Sequence, residues 1–416
     1  MNRSKFFIFK AFISISLVFS CDSKTGDNKN LIDHLLRNDK ESFGIILDNL
    51  KKHEVQIIYT QINRDSANNP SFKSFYFNVD PERYFYPAST VKMPVAFLAL
   101  EKLQNLNIKG LDRNTTFLTD SAYHSQSAAM NDSTSENGLP NIAHYIKKIF
   151  IVSDNDAYNR LYEFIGQEEI NRKLRTKGYT STRLIHRLSI PLSPEENQHT
   201  NPVRFLNGDS VIYEQPLVKS ALNYQPDEKI LKGKAYVDND GQLIKAPFDF
   251  TYKNFMPLEE MQMMLRSVIF PETTKGVTLS SDNRDFVLKY MSQLPRETLY
   301  PAYDEEEYYD AYSKFLLFGK SRRIPNNIRM FNKIGQAYGY LIDNAYIIDF
   351  DHNVEFLLSA VIHVNNNETY NDGEYEYDKI GYPFMQRLGE VIHEYELNRP
   401  RAVQPDLSPF KINYDK

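Results

Sequence analysis

Pro87-Ala88-Ser89-Thr90-Val91-Lys92-Met93-Pro94 runs directly into VAFLALEKL (95–103), an apolar segment of helical period. Ser89 and Lys92 are three residues apart, so on a helix they share a face. Ser89 then sits at the helix N-terminus, where unpaired N–H groups and the macrodipole favour developing negative charge. A serine hydroxyl is a poor nucleophile at neutral pH unless a neighbouring group takes its proton. A lysine held partly neutral by its surroundings can do so. Taken alone the motif is weak, because a chain of this length holds about one or two Ser-x-x-Lys sequences by chance.

Two further stretches give it weight. Ser153-Asp154-Asn155 falls where Asn141 to Ile165 reads as two helices meeting at a junction. By itself this tripeptide is a good helix cap. Its hydroxyl can also relay a proton to a leaving nitrogen, and its amide can orient a substrate. Lys333-Ile334-Gly335-Gln336-Ala337 opens a β-rich run. A strand edge beside a nucleophile supplies backbone N–H groups, and Gly335 permits close approach.

The surrounding pattern predicts an α+β fold. Leu31 to Leu50 reads as helical with a break near Asn38. Val55 to Ile62 and Phe72 to Val79 read as a hairpin, and Leu258 to Ile269 as a helix. Ile334 to Ile348 and Val354 to Val364 read as strands, and Tyr382 to Glu396 as a closing amphipathic helix. Strands at both ends predict one antiparallel sheet packed with helices, and the middle of the chain a helical lobe. Residues 31–400 are expected to be a single two-lobed domain, with 401–416 as a tail. Residues 185–255 lack helical period and contain the turn signals Asn207-Gly208-Asp209 and Asn239-Asp240-Gly241, so a long loop with an inserted hairpin is expected there.

With 25% charged residues and a net charge of −5, the chain has no basic patch, which argues against nucleic-acid binding. The start of the chain is different in kind. Arg3, Lys5 and Lys10 precede a short apolar stretch, Ala11 to Phe19, and Ser20-Cys21. A basic start, an apolar run too short to span a bilayer and a small residue before a cleavage point predict a secretory signal over residues 1–20. Val18-Phe19-Ser20-Cys21 resembles a bacterial lipobox, with Phe19 bulkier than usual. Cys21 is the sole cysteine, so the expectation is that it carries a lipid and that residues 21–30 form a tether. The protein is then expected to be a lipid-anchored monomer on the periplasmic side of the cell envelope.

Ser-x-x-Lys, Ser-Asp-Asn and Lys-x-Gly, in that order and in those local settings, resemble the motif set of class A β-lactamases and penicillin-binding proteins. Ala88 to Leu103, Ile149 to Gly166, Lys333 to Ile348 with Gly339 and Asp343, and Tyr382 to Glu396 resemble that family's corresponding segments. The resemblance implies that Ser89 forms an acyl-enzyme and Lys92 activates it. It implies that Ser153 shuttles a proton, Asn155 positions the substrate amide and Lys333 attracts a substrate carboxylate. The N–H groups of Ser89 and Ala337 would form the oxyanion hole beside Gly335. No cofactor and no metal are implied, and the histidines show no metal-ligand spacing. The implied substrate is a β-lactam, with a cell-wall peptide or ester as the alternative. A further alternative is a catalytically silent cell-wall-binding module.

Two departures stand out. Ile334 replaces the hydroxyl residue usual in the third motif. Arg187-Leu188-Ser189 places serine where the deacylating glutamate belongs, which leaves Glu195 or Glu196, ahead of Asn197, as candidates. Carboxylation of Lys92, as in class D β-lactamases, is the other implied route.

Overall fold

The computed structural model describes residues 30–416. The expected leader, Cys21 and almost all of the tether lie outside the described residues. The chain opens with two helices, α1 (Asn30–Asn38) and α2 (Lys40–Leu47). The expected break falls at Asp39, whose side chain caps α2 by accepting from the Ser42 N–H.

A five-stranded antiparallel sheet follows from both ends of the chain. Its strands are β1 (Gln56–Arg64), β2 (Pro70–Phe77), β3 (Ile328–Ala337), β4 (Tyr340–Asp349) and β5 (Val354–His363), in the spatial order β3-β4-β5-β1-β2. Both faces are covered. Ile58, Ile342, Tyr346, Leu357 and Val361 enter one core, under the helical lobe. Their sequence neighbours Ile57, Tyr59, Leu341, Ala345, Ile347, Phe356 and Leu358 enter a second, beneath α1, α2 and the last helix. With both faces covered, every residue of β4 and β5 is buried, so neither shows the alternation of a strand with one wet face, and the polar residues they hold, such as Asp343 and Glu355, are buried too. The single run predicted from Ile334 to Ile348 is two strands. Tyr338 and Gly339, with φ of 55° and 79°, make a two-residue turn between them.

The helical lobe holds α3 (Lys92–Leu106), α4 (Ile142–Ile151), α5 (Asn155–Ile165), α6 (Gln167–Thr176), α7 (Leu258–Ile269) and α8 (Ser281–Ser292), and α9 (Tyr382–Asn398) closes the fold behind the sheet. α3 is buried on nearly all sides, as its apolar sequence demands. α4 is capped by Asn141, α5 by Asp154 and α8 by Ser280. Neither α6 nor α8 was predicted. α6 buries only four side chains, Gln167, Ile170, Asn171 and Leu174, and its remaining residues are mostly charged, so its period is faint in sequence.

Within 185–255 the expected hairpin is present at 203–215, turning at Asn207-Gly208-Asp209 and pairing outward with Thr116–Thr119. A second hairpin joins Ala235–Val237 to Leu243–Ile244, and Ala235–Tyr236 pair in parallel with Thr369–Tyr370. The segment 401–416 corrects the expected tail. Leu407 and Phe410 are buried in the core of the helical lobe, and the Asp415 carboxylate bridges Lys147 (2.7 Å) and Lys289 (2.9 Å). Apolar anchors and a bridging acid hold it to the domain.

Candidate active site

Three segments converge at the front edge of the sheet. Ala88–Val91 forms a single 3-10 turn that leads into α3, so Ser89 lies at a helix start and Lys92 one turn on. The Ser153 junction between α4 and α5 approaches from one side and β3 from the other.

Gly335 sets how near β3 can come. A Cβ there would lie 2.7 Å from the Pro87 carbonyl oxygen, 3.1 Å from Thr90 and 3.2 Å from the Ala88 Cβ. Glycine was expected to admit substrate. Here it admits the nucleophile turn itself, which packs against the strand. Ala88, Ser153 and Ser189 all adopt left-handed backbone, with φ of 48°, 60° and 56°. Such conformations in non-glycine residues each cost about 1–3 kcal/mol and cluster where function over-determines geometry.

The structure brings five of the predicted side chains, Ser89, Lys92, Ser153, Asn155 and Lys333, into one hydrogen-bonded chain. Lys92 Nζ lies 2.8 Å from Ser89 Oγ and 2.6 Å from Asn155 Oδ1, and it also donates to the Ser153 carbonyl oxygen. The last two oxygens can only accept. They take two amine hydrogens, so the lone pair of the neutral amine is left for the two hydroxyls, of which Ser89 Oγ is nearer than Ser153 Oγ at 3.3 Å. Burial lowers the Lys92 amine to about 7, and the Asp154 carboxylate opposes the shift. The neutral form is therefore well populated near neutrality.

Lys333 completes the chain. Its amine donates to Ser153 Oγ at 2.8 Å and to the Ile334 carbonyl oxygen at 3.1 Å. Burial and the nearby Lys92 charge push it well below the usual lysine range, against the pull of Asp343. Two amines thus flank one serine hydroxyl, without a direct carboxylate partner among the described residues. The site can pass a proton from Ser89 through Lys92 to Ser153, and a substrate anion placed beside Lys333 would favour the charged form of that amine.

Three expected residues sit elsewhere or act differently. Ala337 pairs with Tyr340 across the two-residue turn, which puts its peptide group in the ladder to β4. Alternation along the strand then turns the peptide groups of Ile334 and Gln336 away from β4, so Gln336 rather than Ala337 offers its N–H outward. The clue was present in sequence, in Gly339 and the spacing from it. Glu196 closes a capping box. Its carboxylate accepts from the Ser193 N–H at 2.7 Å and also faces His124. Glu195 is exposed beside Lys219. Neither carboxylate hydrogen-bonds Ser89, Lys92 or Ser153: Glu196 is held in the capping box and Glu195 faces Lys219.

Ser189 occupies the place they were meant to fill. Its Oγ accepts from Asn155 Nδ2 at 2.8 Å, so Asn155 links it to Lys92. The loop that carries Ser189 is pinned by Arg187, whose guanidinium pairs with buried Glu163 at 2.9 Å and donates to the Glu196 and His199 carbonyl oxygens. Ile334 is buried in the second core and gives the cleft no hydroxyl. Among the described residues no cluster of His, Cys, Asp or Glu is arranged to hold a metal ion, and no helix is long and apolar enough to cross a membrane.

Solved structures similar to this chain include a beta-lactamase from Sphaerobacter thermophilus. It is 12% identical, with a TM-score of 0.48, over 89% of this chain and 98% of that one. A class A beta-lactamase from Clostridium kluyveri is 12% identical with a TM-score of 0.46, over 86% and 98% of the two chains. A beta lactamase from Xanthomonas campestris is 15% identical with a TM-score of 0.45, over 87% and 98%. No curated protein matches the chain. A sequence model described as the beta-lactamase enzyme family matches residues 45–395, most of the chain, and the chain therefore belongs to that family.

Proposed function

We propose that the protein is a serine acyl-transfer hydrolase that opens a β-lactam amide through Ser89 and releases the acyl group slowly. The observation that carries this reading is the Lys92 amine, 2.8 Å from Ser89 Oγ, with its shortest other contacts made to the Ser153 carbonyl oxygen and Asn155 Oδ1 and a longer one, 3.3 Å, to Ser153 Oγ. Neutral Lys92 takes the Ser89 proton as Oγ attacks the carbonyl carbon. The oxyanion forms against the Ser89 N–H at the helix start and the outward N–H of Gln336. As the C–N bond breaks, Ser153 Oγ gives its proton to the leaving nitrogen and regains one from the Lys92–Lys333 side. Lys333 holds the carboxylate of the substrate.

Release needs water activated by a base, and the hydroxyl of Ser189 is a far weaker base than a carboxylate. A carboxylated Lys92 is disfavoured, because its oxygens would face the Ser153 carbonyl and Asn155 Oδ1, which are acceptors. A second reading, hydrolysis of a cell-wall peptide or ester, is supported by the same two departures. Ile334 and Ser189 remove groups that serve β-lactam binding and turnover in the family.

Intact-protein mass after exposure to benzylpenicillin tests the proposal. The expected result is a lasting adduct of one penicillin that is absent from Ser89→Ala. No adduct, alongside hydrolysis of simple esters that requires Ser89, would favour the second reading.

A further inference from the structure

Tyr86, three residues before Ser89, and Tyr338, two after Gln336, border a cavity of about 650 Å³ that Ser189 also lines. Loop 189–193 forms one wall, and residues 236–239 of the hairpin that starts at Ala235 form another. The volume lies in the range of roughly 300–1,000 Å³ typical of small-molecule sites. Four rings join the aliphatic side chains of the loop and of Val237 in its apolar part. Tyr338 meets Tyr86 edge to face at 5.0 Å and Phe248 at 5.4 Å, and Phe248 meets Tyr236 at 5.4 Å.

Of the ionisable side chains in the lining, three are already engaged. The Arg187 guanidinium is held by Glu163 and by two carbonyl oxygens. The Asp238 carboxylate is turned into its own hairpin, where it accepts from the N–H groups of Asp240 at 3.0 Å and Gln242 at 2.8 Å. His186 donates from Nδ1 to the Arg187 carbonyl oxygen, and burial drops its ring to about 3, so it stays neutral near pH 7.

Lys253 is different. Its amine makes no hydrogen bond and no ion pair among the described residues. Asp249, the acid nearest to it in sequence, is exposed and accepts from the Thr251 N–H at 2.8 Å instead. The amine lies 5.9 Å from the ring centre of Phe248. Lys253 also borders a second cavity behind the loop, but Phe248 does not, so the amine lies toward the Ser189 side. The side chain is half-buried, and burial lowers the amine below the usual lysine range. A partly desolvated cation without a counter-ion is costly, and an anion entering the cavity would offset that cost.

We infer that Lys253 is the counter-cation for an anionic group on the acyl side of the substrate, carried on an aromatic body that packs against the four rings. Its placement on the acyl side rests on the acyl-transfer reading above. There the Ser153 hydroxyl meets the leaving nitrogen, so the acyl chain departs from Ser89 on the opposite side, past Ser189. The anion site itself does not depend on that reading. Lys333, bonded to Ser153 at 2.8 Å, serves the carboxylate on the leaving side. Two amines then read two anions at opposite ends of one substrate.

Carbenicillin and benzylpenicillin test this, because they differ by one carboxylate on the benzylic carbon of the acyl chain and are otherwise identical. Adduct formation is followed by intact mass in the unmodified protein, Lys253→Met and Lys253→Arg. Binding is read separately by calorimetry on Ser89→Ala, with and without Lys253→Met. Both compounds share the carboxylate of the bicyclic nucleus, so a ratio of rates or affinities isolates the added one. The ratio is expected to favour carbenicillin in the unmodified protein. It should fall about tenfold in Lys253→Met and be largely kept in Lys253→Arg, where the charge remains. A ratio that Lys253→Met leaves unchanged, while both compounds still label Ser89, overturns the inference and keeps the acyl-transfer reading. Tighter binding of carbenicillin to Ser89→Ala that Lys253→Met abolishes, in a protein whose Ser89 takes neither compound, keeps the anion site and removes the acyl-transfer reading. Equal binding of the two compounds to Ser89→Ala, with no labelling of Ser89, overturns both.

Discussion

At Lys92 the sign of the pH dependence follows from its role. The amine must be neutral to accept the Ser89 proton, and burial places it at about 7. The acylation rate should therefore rise with pH through about 7 and level off above it. Asp154→Asn removes the charge that opposes the shift, so the rise should move to lower pH. Lys92→Met should remove the limb and slow acylation by roughly 10²–10⁴-fold. Stopped-flow acylation with a chromogenic cephalosporin reads all three. Ser189 gives the complementary test. Ser189→Glu sets a carboxylate beside Asn155, at the position of the missing base. The acyl adduct should then decay roughly 10²-fold faster or more, measured by mass against time. An unchanged lifetime would show that water cannot reach the ester from this side. Asn155 binds both partners through the two ends of one amide, so a single side chain couples the acylation machinery to the deacylation position.

Among the elements, β3 and the nucleophile turn are set by each other. Gly335→Ala would place a methyl group 2.7 Å from the Pro87 carbonyl oxygen, so the strand must retreat. The expected cost is about 1–3 kcal/mol of stability, with a larger loss of acylation because the oxyanion donor and Lys333 move with β3. Thermal melting and acylation rates on one preparation separate the two effects. Motif-bearing elements were legible in the sequence because each combines a strong period with a polar signature. α3, the α4–α5 junction and β1, β2 and β5 lie where the pattern puts them. What was not legible depends on partners distant in the chain. α6 is charged on most of its surface and is recognised only by what it packs against. The turn at Tyr338-Gly339 hides because β4 beyond it is buried on both faces and so shows no alternation that would mark where the strand begins. The resemblance alone assigns Ala337 as oxyanion donor, and only the register of the turn, with Ala337 opposite Tyr340, turns the Gln336 N–H outward instead. Glu195 and Glu196 misled for a related reason. A glutamate three residues after a serine and beside a proline is also a helix-start signal, and that is how Glu196 is used.

Across the whole molecule, several buried amines shape stability. Lys92 and Lys314 both fall to about 7 through burial. Lys314 sits behind β3 and donates to the Met291 and Met330 carbonyls and to Asn332 Oδ1. In the unfolded chain these amines titrate near 10.5, so between about 7 and 10 the folded protein binds fewer protons. Stability should rise with pH across that window and fall again as pH drops toward 7. Lys314→Met should flatten the dependence, which urea midpoints at pH 7 and pH 9 would reveal. A slope unchanged in this variant would place the amine's ionisation elsewhere.

The pairing of β1 with β5 also governs when the protein can fold. Gln56 lies opposite Val361 and Gln61 opposite Phe356, partners some three hundred residues apart. A ribosome makes β5 some three hundred residues after β1, so throughout that interval an apolar strand waits without its neighbour. Loop closure over that span is slow, and exposed strand edges invite association with other nascent chains. The sheet therefore cannot close before β5 has been made, and recovery of active protein should improve when a holdase shields the growing chain.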